Sequence, residues 1–240
     1  MQRTGEGLEN GRQKGAHGIM SFARELLIVV VGVVIAIGLG QAVYAAHWRD
    51  SVAEARDSLR NELRANDDFY AFRVAVSACV GRRLAELNSI TEDAAAHRQV
   101  APVGDLTLHI GSLLADDVWQ SERAGQALVH LPKAELERFS RTYSQQIDIR
   151  AWLNRETELW AGIRLLEGAP GRLTPSDITL VRKSIQEARA TNYLVTLNAA
   201  EQLEINAALG VTKTEAKPAE IAAACAPLLR APPARPFTTY

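Results

Sequence analysis

Two cysteines, Cys79 and Cys225, are the residues with the best-defined chemistry open to them. They stand far apart in the chain. An even count fits one disulfide, which persists only in an oxidising compartment; two separate buried thiols are the alternative. The five histidines, His17, His47, His97, His109 and His130, are scattered. None forms HExxH, and none stands at metal-ligand spacing from a cysteine, so neither a metal nor a cofactor is expected. GxSxG, Walker and GxGxxG patterns do not occur. Asp67-Asp68 and Asp116-Asp117 are acidic pairs, but neighbours on a helix point about 100° apart, so neither makes a catalytic dyad. Trp119, Trp152 and Trp160, with arginines nearby, can line a pocket between helices. Their expected use is as aromatic anchors in a core.

Chemistry therefore gives way to architecture, and one stretch dominates it. Leu26 to Ala46 reads LLIVVVGVVIAIGLGQAVYAA, without a charge. At about 1.5 Å per residue it spans roughly 31 Å as a helix, close to the thickness of a bilayer's hydrocarbon core. A lone segment in lipid satisfies its backbone only as a helix. The expectation is one transmembrane helix over 22–48, behind a disordered cytoplasmic leader over 1–21. Ser21 can cap the helix. A buried core helix and a cleaved secretory signal are the other readings; Val43-Tyr44-Ala45 would serve as the cleavage site. A signal's apolar region is shorter, about 7–15 residues. Tyr44, His47 and Trp48 form an aromatic belt suited to the water interface. Gly32, Ala36 and Gly40 recur every four residues and make a stripe on which a second membrane helix can pack closely.

The segment Arg24-Glu25-Leu26-Leu27-Ile28-Val29-Val30-Val31-Gly32-Val33-Val34-Ile35-Ala36, followed by Trp48, resembles the opening of an uncharacterised bacterial family of single-pass inner-membrane proteins. The likeness covers about 25 of 240 residues. It implies one membrane helix near the N-terminus and a helical domain of unknown function. It carries no activity and no functional residues.

Orientation does not follow from basic residues alone. The leader holds Arg3, Arg12, Lys14 and Arg24, and the stretch after the anchor holds Arg49, Arg56, Arg60 and Arg64. A polar leader without a domain suits the cytoplasm, and long domains translocate largely regardless of charge. With the cysteines, this places the main domain outside the cytoplasm, in the periplasm of a Gram-negative host. The near-neutral balance of 27 basic and 28 acidic residues argues against nucleic-acid binding.

The rest reads as all-α: the membrane helix continues into an antiparallel helical bundle over 49–210, then a short helix and Pro-rich tail over 211–240. Trp48, Val52, Ala55, Leu59 and Leu63 make a first apolar stripe, and Phe72, Val76, Val80, Leu84 (or the stem of Arg83) and Leu87 a second. Asn66-Asp67-Asp68 between them is a candidate kink or N-cap. Residues 98–115 read as a connection, and a short helix is expected from Leu113 to Leu131. Pro132 opens the next helix, with Leu136, Phe139, Tyr143, Ile147 or Ile149, Leu153, Trp160 and Ile163 inward, closing at Gly168. Thr174-Pro175-Ser176-Asp177 is a capping box. The helix behind it turns Ile178, Val181, Ile185, Ala188, Leu194, Leu197 and Ala208 inward and ends near Gly210. A Cys79–Cys225 bond would tie the last short helix to the first.

The functional expectation is a binding, scaffolding or accessory-subunit role at the bacterial inner membrane. Its partners are the lipid bilayer and either a second copy or another membrane protein. An enzyme whose site assembles between bundle helices is the alternative.

Overall fold

The computed structural model describes residues 10–106 and 114–228, with side chains from residue 22 onward except 23. His109, Leu113, residues 1–9 of the leader and the Pro-rich tail from 229 lie outside the described residues, as does the His17 side chain. The described residues form five α-helices: α1 (Asn10–Ala95), α2 (Asp117–Ala124), α3 (Lys133–Ile163), α4 (Pro175–Ala208) and α5 (Pro218–Ala224). The fold is all-α. Among the described residues the only β pairing is an isolated parallel bridge between Val103 and Glu167. The chain divides into two units, 1–54 and 55–240.

In the first unit α1 begins at Asn10, which corrects the expectation of a leader without structure through 21. Helix extension adds one hydrogen bond per residue fixed once a turn exists, and Arg12, Gln13, Lys14 and Ala16 are good helix formers. The backbone at Ser21 is already helical, so it is not a cap. Every residue from Arg24 to His47 is exposed. The helix is long and apolar enough to cross a membrane, and none of its most apolar stretch is buried. Tyr44 and Trp48, one turn apart, meet edge to face at 5.8 Å, and His47 lies 5.4 Å from the Trp48 ring.

In the second unit, α1, α3 and α4 build the core. From Val52 onward both apolar stripes of α1 are buried as their spacing predicts, with Leu59, Leu63, Leu84 and Leu87 fully covered. α1 passes through Asn66-Asp67-Asp68 without a break. The first two side chains bond other elements, not the local backbone, so nothing competes with the helix there.

Helix directions depart from the all-antiparallel expectation. Arg56 meets Glu135, Glu62 meets Tyr143, Asn66 meets Gln146 and Arg73 meets Glu156. Numbers on α1 and α3 rise together, so these helices run parallel. α4 opposes both: Asn206 meets Asp67 while Asn192 meets Arg73, and Glu201 meets Arg141 while Glu187 meets Arg155. The cause is the long connection after α1. Val103 pairs with Gly168 beyond the C-terminus of α3, and Ala115 has already returned to Asn66. The chain thus enters α3 beside Arg56, at the end where α1 enters this unit. A short loop would have forced antiparallel neighbours.

The expected helix over 113–131 is two pieces, α2 and a 3₁₀ turn (Ala127–His130), separated at Gly125, whose extended backbone ends α2. α3 stops at Ile163 rather than Gly168; a 3₁₀ turn follows, and Gly168 takes φ 80° where the bridge to Val103 forms. α4 carries the predicted capping box: Thr174 accepts from the Asp177 N–H and Asp177 accepts from the Thr174 N–H. The chain turns out of α4 at Gly210, φ 84°. The Cys79 and Cys225 sulfurs are bonded across 146 residues, with Cα atoms 5.4 Å apart. α5 has no fully buried residue, but Ile221 and Ala224 pack half-buried against the apolar core and Leu228 beyond the helix is buried in it.

Candidate functional site

The most unusual chemistry of the second unit is internal. A column of buried polar side chains runs between α1, α3 and α4. At the end holding Arg56, that guanidinium grips Glu135 at 2.6 and 2.8 Å, and Arg60 Nε donates to the Leu209 carbonyl at 2.7 Å. Hydrogen bonding to Arg56 holds the Glu135 carboxyl below its ordinary range.

One turn on, the buried Glu62 carboxylate accepts from the Tyr143 hydroxyl at 2.7 Å and from the Val118 N–H at 2.7 Å. It satisfies the free N-terminal amides of α2, a cap supplied from another helix. Burial, then the bond to Glu62, pushes the Tyr143 phenol upward. Trp119 stacks on Tyr143 at 4.7 Å, and the Arg123 guanidinium lies over the Trp119 ring, 5.9 Å from its centroid. Trp119 is therefore an anchor fixing α2 to α3.

Asn66 next pairs with both backbone groups of Ala115 at 2.8 Å, and Gln146 donates to the same carbonyl at 2.7 Å. Beside it Asp67 accepts from Asn206 Nδ2 at 2.6 Å, and Gln202 donates to the Thr142 carbonyl at 3.0 Å. Asp67 is 1% exposed. Burial raises its carboxyl to about 6, against the Asn206 hydrogen bond, with the neighbouring Asp68 charge adding to the rise.

The column ends in an ion pair. Arg73 Nη2 donates to Glu156 Oε1 at 3.0 Å and to Asn192 Oδ1 at 3.3 Å, all three buried. Burial raises the Glu156 carboxyl in spite of the adjacent guanidinium. Arg73 Nε and Glu156 Oε2 are buried with no hydrogen-bond partner among the described residues. Asn192 then reaches the Ser77 carbonyl at 3.3 Å, and Thr196 Oγ1 lies 2.9 Å from Ser77 Oγ. Beyond it the core is apolar.

These contacts join helices. Asp67 and Glu156 are held by different partners in different layers, so they form no acid–base couple. Buried polar groups are costly when unpaired, and a column of them penalises any slip of one helix along another.

Of the residues singled out in the sequence, the structure brings Cys79 and Cys225 together. Gly32, Ala36 and Gly40 lie exposed on one helix face, and a Cβ at either glycine would meet nothing within 4 Å. Trp160 is buried in the main apolar core, and Trp152 packs half-buried against a second cluster around Phe69, Tyr70 and Ile149. Asp116 pairs with Arg150 at 2.7 Å, and Asp68 accepts from Thr214 at 2.8 Å. His97 ends α1 with φ 55°, and His130 closes the 3₁₀ turn. Among the described residues no three His, Cys, Asp or Glu side chains are grouped to hold a metal. A shallow groove between α3 and α4 runs over Leu159, Gly162, Leu180 and Ser184. It marks close helix approach: a Cβ on Gly162 would lie 2.5 Å from Ser184 Oγ.

The polar column escaped a reading built on apolar spacing, yet its signal is in the sequence. On α4, positions 181, 185, 188, 192, 195, 199, 202 and 206 fall alternately four and three apart, a coiled-coil period. Asn192, Gln202 and Asn206 keep that phase with polar side chains. Leu194 and Leu197, expected inward because they are apolar, are exposed, as is Ala208.

Compared with family models, with curated proteins and with solved structures, the chain matches none.

Proposed function

We propose that the chain is a membrane-anchored extracytoplasmic helical protein with a binding, scaffolding or accessory-subunit role. In this reading Leu26–Ala46 crosses the inner membrane of a Gram-negative bacterium, the N-terminus is cytoplasmic and the helical domain is periplasmic. The observation that carries it is the complete exposure of an uncharged apolar run long enough to span a bilayer. Water would penalise that surface heavily, whereas lipid or another membrane helix would not. The Cys79–Cys225 bond supports the oxidising side of the membrane. The likeness of the Arg24–Ala36 segment to single-pass inner-membrane proteins points the same way. The polar column supports a rigid module rather than a reaction centre, because most of its groups are engaged with one another across helices.

The second reading is an enzyme with its site between the helices. It is favoured by two buried carboxyls held above their usual range, at Asp67 and Glu156.

The test is fractionation of native membranes with alkaline extraction, then protease and maleimide access in spheroplasts. The anchored reading expects the chain to resist extraction and the domain to be cut from outside. Both thiols should label only after reduction. A chain recovered in the soluble fraction, or thiols that label without reductant, would overturn it. Partners retained after mild detergent extraction would then identify the process served.

A further inference from the structure

Where the polar column ends, three buried polar atoms have no hydrogen-bond partner among the described residues: Arg73 Nε, Glu156 Oε2 and Trp160 Nε1. Two are donors and the carboxylate oxygen is an acceptor. Arg73 and Glu156 already touch, but through their other atoms, Nη2 and Oε1 at 3.0 Å. That contact leaves Nε and Oε2 unmatched on the two members of one pair. Trp160 stands four residues after Glu156 on α3, one turn on along the same helix face. The three residues are 1%, 0% and 5% exposed, so bulk solvent does not serve them. The nearest polar neighbour is already engaged: Asn192 accepts from Arg73 through its oxygen and donates to the Ser77 carbonyl through its amide.

We infer that these three atoms converge on one internal binding site for a water molecule, which accepts from Arg73 Nε–H and Trp160 Nε1–H and donates to Glu156 Oε2. The kinds of atom decide the class of ligand. A cation is met by acceptors alone, and an anion by donors alone. Here donors and an acceptor occur together, and one guanidinium stands against one carboxylate, so the layer carries no net charge to hold an ion. That set suits a small neutral molecule that both accepts and donates. Water has four hydrogen-bonding positions, and three protein partners is the usual number for a buried one, about 3. A direct Arg73 Nε–Glu156 Oε2 bond would satisfy two of the three atoms and leave the indole N–H buried and unmatched, which is costly. One water serves all three. It also explains how an ion pair this deep is kept although its direct contact uses one atom of each partner, since a bridging water is enthalpically nearly as good as a direct hydrogen bond. The inference does not depend on where the chain resides.

The experiment is a crystal structure of the full chain, grown with rubidium bromide as the salt and taken to a resolution that shows ordered water. The expected result is a single peak about 3 Å from each of Arg73 Nε, Trp160 Nε1 and Glu156 Oε2, with no anomalous signal from rubidium or bromide. The double variant Arg73→Met with Glu156→Leu removes two of the three partners and should lose the peak. Nuclear magnetic resonance of the full chain in detergent micelles reads the same site in solution, whether or not that variant folds. A rotating-frame Overhauser cross-peak should run from water to the Trp160 indole N–H, with the sign of a bound molecule rather than of proton exchange. Three outcomes overturn the inference. One is Arg73 Nε bonded straight to Glu156 Oε2 with no peak beside them. Another is an anomalous signal at the site, which makes the occupant an ion. The third is a Trp160 N–H without the cross-peak in unsubstituted chain.

Discussion

At the scale of single residues, the Arg73–Glu156 pair makes the sharpest test of what the polar column does. Both side chains are at most 1% exposed, and each is the other's only ionic partner in that layer. Removing one partner strands a buried charge, so Arg73→Met or Glu156→Gln alone should lower unfolding free energy by about 3–5 kcal/mol. The double variant Arg73→Met with Glu156→Leu should recover most of that loss, because apolar replacements of similar volume often match a buried pair. Denaturant titration of the four chains closes the cycle; a double variant as weak as the sum of the singles would refute it. Asp67 behaves differently, since it has no cation and its carboxyl is raised from 3.8 to about 6 by burial. Between about pH 4 and 6 the folded chain keeps a proton that the unfolded chain has released. Its contribution to stability is therefore fully present below pH about 4 and is lost as pH rises through about 6. Asp67→Asn imitates the protonated form. It should stabilise the domain by about 2 kcal/mol at pH about 8 and change little at pH about 4. Equal effects at both pH values would show that the carboxyl does not titrate in this window.

At the scale of elements, the start of α4 was the most legible helix end in the chain. Thr174, Pro175 and Asp177 specify the start of α4 by local chemistry alone, and the structure has both bonds of the box. Thr174→Ala should cost about 1 kcal/mol, measured by thermal or chemical unfolding; no loss would mean that packing alone holds this end. At the other end Gly210 sits at φ 84° with the Arg60 guanidinium 3.4 Å from where its Cβ would lie. Gly210→Ala should therefore destabilise by about 1–2 kcal/mol through backbone strain, and replacing Arg60 should not rescue it. Apolar stripes were legible too, as Leu59, Leu63, Val76 and Leu84 show. Two things were not. Polar residues in core phase, such as Asn66, Gln146 and Asn206, look like surface residues until their partners are known, and those partners lie on other helices. Helix direction was equally hidden. Nothing in residues 98–132 announces that they return along the bundle, because a connection's path is set by contacts such as Ala115 to Asn66 that span 49 residues.

At the scale of the second unit as a whole, stability should be unequal between the three-helix core and the segment after Gly210. Residues 211–228 are held at their margins: Val211 and Leu228 are buried, Ala216, Ile221 and Ala224 pack half-buried against the core, Thr214 bonds Asp68, and Arg83 bonds the Ala226 carbonyl. α5 has no fully buried residue. Segments with so little covered apolar surface open at small free-energy cost. The Cys79–Cys225 bond prevents that by closing a long loop, worth about 5 kcal/mol in the chain-entropy model. The three-helix core has ties that do not involve α5, since the polar column joins α1, α3 and α4 directly. Cys225→Ala should therefore free the C-terminal segment before it unfolds the domain. Limited trypsin digestion reads this directly, because Lys213 lies in the linker into α5 and is followed by Thr214, whereas Pro218 blocks cleavage after Lys217. Cleavage after Lys213 should be fast in Cys225→Ala and in reduced chain, and slow in the oxidised chain, while hydrogen exchange in α4 remains protected. If exchange in α4 accelerates in step with cleavage, the domain unfolds as one cooperative unit, and the disulfide stabilises all of it rather than fastening its last segment.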